Sequence, residues 1–81
     1  MHYTTKGTCS RAIDVEIEGT KVKSVVFTGG CNGNTQGIAT LVEGMEIDDV
    51  ISRLEGISCN GRATSCPDQL AKALRQYKNE Q

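Results

Sequence analysis

The stretch from Ile13 to Thr28 constrains the fold more than any other part of the chain. Ile13, Val15 and Ile17 alternate with Asp14, Glu16 and Glu18, the period of a strand with one buried face. Val22 to Thr28 reads as a second strand, and Gly19-Thr20 between them suits a two-residue type II′ turn. That turn sets a register: Glu18 opposite Lys21, Ile17 opposite Val22, Glu16 opposite Lys23 and Ile13 opposite Val26. Opposite charges then face one another on one side and apolar residues on the other, and a one-residue slip would destroy both matches. Continued, the count places Arg11 opposite Thr28 and Cys9 opposite Gly30, which makes Cys9 and Cys31 neighbours at the open end of the hairpin.

The remainder is helical in period. Thr35 to Glu43 carries Ile38, Leu41 and Val42 at helical spacing, with Asn34 as N-cap and Gly44 as the C′ stop. Ile47, Val50, Ile51 and Leu54 fall at i, i+3, i+4 and i+7 of a second helix, which Gly56 ends. Glu46, Asp48 and Asp49 sit in or beside its first turn, where the helix dipole favours them. A third helix runs from about Pro67 to Tyr77, with Leu70, Ala71, Leu74 and Tyr77 on one face. Pro67 fits its first turn, and Ser65 with Asp68 has the spacing of a capping box. The expected fold is α+β: an antiparallel β-hairpin, with room for a third strand over Tyr3 to Thr5, packed against three short C-terminal helices. An isolated hairpin is not stable, so the helices must cover its Ile13/Val15/Ile17 and Val26 face.

At 81 residues this is one small domain spanning 1–81, whose core is marginal without a metal, disulfides or a partner. Nine basic against ten acidic residues, spread along the chain, argue against nucleic acid and against an anionic membrane. The first residues lack an apolar signal-peptide region and no apolar run is long enough to span a bilayer, so a cytoplasmic location is expected. In a reducing compartment, paired cysteines more often bind metal or do redox chemistry than form structural disulfides.

The four cysteines are where chemistry can sit. None occupies an apolar periodic position: Cys9, Cys31 and Cys59 lie in or beside polar, glycine-containing loops, and Cys66 opens a helix. N–H groups at that helix N-terminus stabilise a Cys66 thiolate, and thiolates are the form that Zn²⁺ or an iron–sulfur cluster needs. A lone loop cysteine reads as a small buried hydrophobe. Four of them, two made adjacent by strand register, read as a metal-ligand set, although their positions match no C-x-x-C knuckle. A second candidate is an anion or nucleotide site of backbone amides at the GGCNGN loop, formed by Gly30, Asn32, Gly33 and Asn34 with Arg62. That loop lacks the lysine and spacing of a P-loop. His2, the only histidine, is expected in solvent, and no Ser/His/Asp set or carboxylate pair supports catalysis by this chain alone.

Five segments carry a family resemblance: GTCS at 7–10, GGCNGN at 29–34, LVEGM at 41–45, LEGISC at 54–59 and TSCPDQLA at 64–71. Together they resemble the TSCPD domain family, named for the pentapeptide that stands here as Thr64-Ser65-Cys66-Pro67-Asp68. That family includes short stand-alone bacterial proteins, and related domains lie at the C-terminus of ribonucleotide reductases, notably adenosylcobalamin-dependent ones. The resemblance implies an association with deoxynucleotide synthesis and makes Cys9, Cys31, Cys59 and Cys66 the suspected metal ligands. It carries a ribonucleoside-diphosphate reductase label, yet a chain this short has no room for a reductase barrel, its thiyl-radical cysteines or a cobalamin site. A looser likeness of pattern links the Gly-Cys loops to iron–sulfur scaffold proteins.

The leading expectation is a four-cysteine accessory domain holding Zn²⁺ and serving a ribonucleotide reductase or another protein partner. The alternatives are a thiol–disulfide redox module, an iron–sulfur scaffold and a nucleotide-binding module. A homodimer is left open by the hairpin edge and the small core.

Overall fold

In the computed structural model, residues 1–5, 10–29, 32–57 and 64–80 are described. Three strands, β1 (His2–Thr4), β2 (Ser10–Glu18) and β3 (Lys21–Gly29), are followed by three helices, α1 (Asn32–Val42), α2 (Ile47–Leu54) and α3 (Cys66–Asn79). The α+β architecture is the expected one, with β1 as the third strand, one residue earlier than Tyr3 to Thr5. The sheet order is β1-β2-β3 and both pairings are antiparallel. The first residue extends the β1–β2 pairing, since the Met1 ammonium donates to the Val15 carbonyl at 2.6 Å and the Val15 N–H donates back to Met1 at 2.8 Å.

The β2–β3 hairpin turns where expected, with Gly19 at φ +64°, the sign that a type II′ turn needs at its first central residue. Glu18 faces Lys21 and Ile17 faces Val22. The next pair is Glu16↔Ser24 rather than Glu16↔Lys23, because Lys23 is an extra residue in β3 and the register shifts there. The pairs from there to Thr28 are displaced by one: Ile13 faces Phe27 instead of Val26, and Thr28 faces Ala12 instead of Arg11. The bulge also reassigns the faces. Val25 is buried and Phe27 packs against the core, while Val26 is 59% exposed, contrary to the expectation that it joins the buried face. A second irregularity lies between Ser10 and Ala12, where Arg11 is the extra residue of β2. The two cancel, and the last described pair, Ser10↔Gly29, is back on the count that starts at the turn.

The helices cover one face of the sheet. Ile13, Val15, Val22 and Val25 from the strands meet Val42 of α1, Ile47, Val50 and Ile51 of α2, and Leu70 and Leu74 of α3. α1 begins at Asn32, so Asn34 lies inside the helix and is not its cap. Ile38 and Val42 turn inward, but Leu41 is 76% exposed, which removes it from the expected core stripe. Gly44 takes φ +81° and ends α1 as expected. Its N–H donates to the Val22 carbonyl at 2.7 Å, and the Val22 N–H donates to Met45 at 2.9 Å. The α1–α2 connection therefore covers the turn end of the β3 edge, an exit for polar groups that an edge strand would otherwise leave open.

Candidate functional site

The pentapeptide Thr64 to Asp68, with the residue after it, is where the described residues concentrate buried polar groups: Thr64, Ser65, Asp68 and Gln69 are all buried. Ser65 is the N-cap of α3, and its hydroxyl accepts from the Asp68 N–H at 3.2 Å. The same hydroxyl donates to the Ile57 carbonyl at 2.5 Å. Asp68, spaced to close a capping box, spends its carboxylate elsewhere. Oδ1 accepts from the Gly56 N–H at 2.7 Å, and Oδ2 accepts from the Thr64 hydroxyl and from Lys72 Nζ at 3.2 Å. Gln69 Nε2 donates to Thr64 Oγ1 at 3.0 Å. Burial pushes the Asp68 pKa up, but the hydrogen bonds from Thr64, Gly56 and Lys72 outweigh it and hold the carboxyl below its ordinary value.

These bonds make a clasp. They tie the end of α2, at Gly56 and Ile57, to the start of α3, at Thr64, Ser65 and Asp68, across a segment that carries Cys59. Gly56 at φ +88° lets the chain leave α2 so that its N–H points at Asp68. Farther along the helices, Arg75 donates to Glu55 from Nη2 at 2.9 Å and also from Nε, and Lys78 pairs with Asp48. The Arg75 hydrogen bond lowers the Glu55 pKa. α2 and α3 are thus antiparallel, with the C-terminal end of α3 beside the hairpin turn: Tyr77 and Lys78 line one groove with Gly19 and Thr20.

Of the expected metal ligands, Cys66 is described: it is the first residue of α3, directly after the N-cap, and is partly exposed. Cys9, Cys31 and Cys59 lie outside the described residues, as do Gly30 and Arg62 of the expected anion site. Asn32, Gly33 and Asn34 form the first turn of α1, where the backbone alone is described. Among the described residues no cluster of His, Cys, Asp and Glu has the makings of a metal site. His2 is exposed as expected, with Nδ1 2.7 Å from Asp14 Oδ1. The sequence reading missed Thr64 and Gly56 as members of the clasp. No local pattern marks Gly56, because it meets Asp68 twelve residues later in the chain.

The TSCPD domain model matches residues 1–78 of the 81. The chain belongs to the TSCPD domain family. Within this TSCPD domain the pentapeptide is the capped and clasped entrance to α3, with Cys66 at its centre. No curated protein and no solved structure matches the chain. No helix among the described residues is long and apolar enough to cross a membrane.

Proposed function

We propose that this TSCPD domain is a small zinc-binding accessory module, its ligands Cys9, Cys31, Cys59 and Cys66, acting alongside ribonucleotide reduction in the cytoplasm. Four thiols suit the closed tetrahedral coordination of structural Zn²⁺. The observation that carries this is the position of Cys66, at the first turn of a capped helix whose other end lies by the hairpin turn. The eleven residues from Cys66 to Tyr77 span about 16 Å of helix, so Cys66 lies well away from Gly19. A helix running the opposite way would set Cys66 beside the turn, roughly 26 Å of strand from Ser10, and a single four-cysteine site would be impossible. Cys9 adjoins Ser10, and Cys31 stands two residues beyond Gly29, the partner of Ser10 in the sheet. Cys59 follows Ile57 by two residues, inside the segment whose ends the clasp joins.

Protein purified anaerobically, with neither metal nor chelator added, is expected to carry about one zinc per chain, with its thiols protected until the metal is removed. Four freely titrating thiols with no bound zinc or iron would sink the proposal. Iron with visible absorbance would instead make the chain a cluster scaffold, and a reversible disulfide with no metal would make it a redox module. The accessory role is tested by titrating the zinc-loaded chain into a purified ribonucleotide reductase, where saturable binding heat is the expected result.

A further inference from the structure

A surface groove of about 460 Å³ runs between the end of α1 and the outer side of α2. Its floor is Val42 and Val50, and its walls include Met45, Leu54 and the 76% exposed Leu41. Asp49 and Arg53 stand on its rim, one helical turn apart on α2. Among the described residues, no ion pair engages either of them, although Asp48, Glu55, Asp68, Lys72, Arg75 and Lys78 nearby are all paired. We propose that this groove is the contact by which two copies of the chain associate, through a two-fold axis that sets α2 antiparallel to α2 of the second copy.

The charge pattern selects this occupant. Under a two-fold axis, residue pairs exchange: what Asp49 of one copy meets, Arg53 of the other must supply, and the reverse. An acidic and a basic residue placed symmetrically about Ile51, close to the middle of α2, become two identical ion pairs across an axis that passes that point. A foreign partner would have to match the two charges in order, whereas a second copy matches them by symmetry. Leu41 is self-complementary in the same sense, as both wall of its own groove and the exposed side chain that enters the other. The groove is lined by seven residues, few beside the roughly 20–30 a side of a standard interface, so the association is weak and concentration-dependent. Rim charges set register and specificity more than affinity, while the exposed leucine supplies the apolar burial. This association is independent of the zinc site, because none of its residues is a cysteine or a neighbour of one.

Sedimentation equilibrium of the metal-loaded chain, with a thiol reductant present, tests it from micromolar to millimolar concentration. The expected result is a monomer–dimer equilibrium that Leu41→Arg weakens at least about tenfold, the equivalent of 1.4 kcal/mol, with unchanged circular dichroism. Asp49→Arg and Arg53→Asp each weaken self-association. Mixed together, these two variants are expected to form the heterodimer in preference to either homodimer, as read by native mass spectrometry from their mass difference. A wild type that stays monomeric throughout overturns the proposal. So does a dimer indifferent to Leu41→Arg, or a mixture without heterodimer preference.

Discussion

Asp68 shows how a single buried carboxylate can hold a helix entrance together. It is 2% exposed and accepts from a backbone N–H, a hydroxyl and a lysine, so its removal strands the buried Thr64 hydroxyl and takes the partner from the Gly56 N–H. Asp68→Ala is expected to cost about 3 kcal/mol, or more than about 10 °C in Tm for a domain this small. The carboxyl also gives the fold a pH dependence with a definite sign. Because its folded pKa is depressed, its contribution is complete well above the ordinary carboxylate value of about 3.9. It is lost as pH falls through the lower folded value. Asp68→Asn should therefore unfold with a shallower acid limb than wild type, as followed by circular dichroism. An unchanged limb would show that the carboxylate is not held as described. At this scale the sequence was only half legible. Ser65 and Pro67 announce the cap and first turn through local spacing, and both appear there. The carboxylate three residues beyond Ser65 has the spacing of the second half of a capping box, and the most distant of its partners, Gly56, has no sequence-local signature.

Elements were legible wherever a local rule fixes geometry. A glycine at the first central position supplies the positive φ that the tight hairpin turn needs, and the apolar period of α2 and α3 specifies which faces they bury. Alternation carried no warning of the bulge at Lys23, since that residue is neither glycine nor otherwise marked, and the register count ran straight through it. The helix start was also displaced: α1 already includes Asn32, so Asn34, whose chemistry suits a cap, lies inside the helix. The bulge yields a sharp contrast between adjacent valines. Val25 is 6% exposed and Val26 is 59% exposed. Val25→Ala is expected to destabilise by about 2 kcal/mol, while Val26→Ala stays within about 0.5 kcal/mol. Urea unfolding with a common slope measures both. A hairpin paired straight from its turn would reverse the order, so the ranking of the two variants reports the bulge itself.

Across the whole molecule, the two ends of the sheet are secured by different means. At the turn end, backbone bonds from Val22 to Met45, from Gly44 to Val22 and from Ile47 to Thr20 lock the hairpin to the α1–α2 connection. Lys78 with Asp48 draws α3 to the start of α2 beside it. At the open end, the described chain supplies the Ser10↔Gly29 pair, the first turn of α1 and the clasp around α3. Each of these adjoins a cysteine in the sequence. The fold as a whole was legible because periodicity governs it. Periodicity is silent on the four cysteines, because they stand in or beside segments of the sequence with no period. If those cysteines share one zinc, as proposed, the metal is the staple of the open end alone. Amide hydrogen exchange, compared between zinc-loaded protein and protein stripped by a tight chelator, separates the two ends. Removal of the metal is expected to strip protection from Gly29 and Thr35 well before Val22 and Ile47, whose backbone bonds need no metal. Cys66→Ser should reproduce that pattern without chelator. A uniform loss of protection would mean that the open end is not separately held, and an unchanged pattern would mean that the cysteines do not staple it.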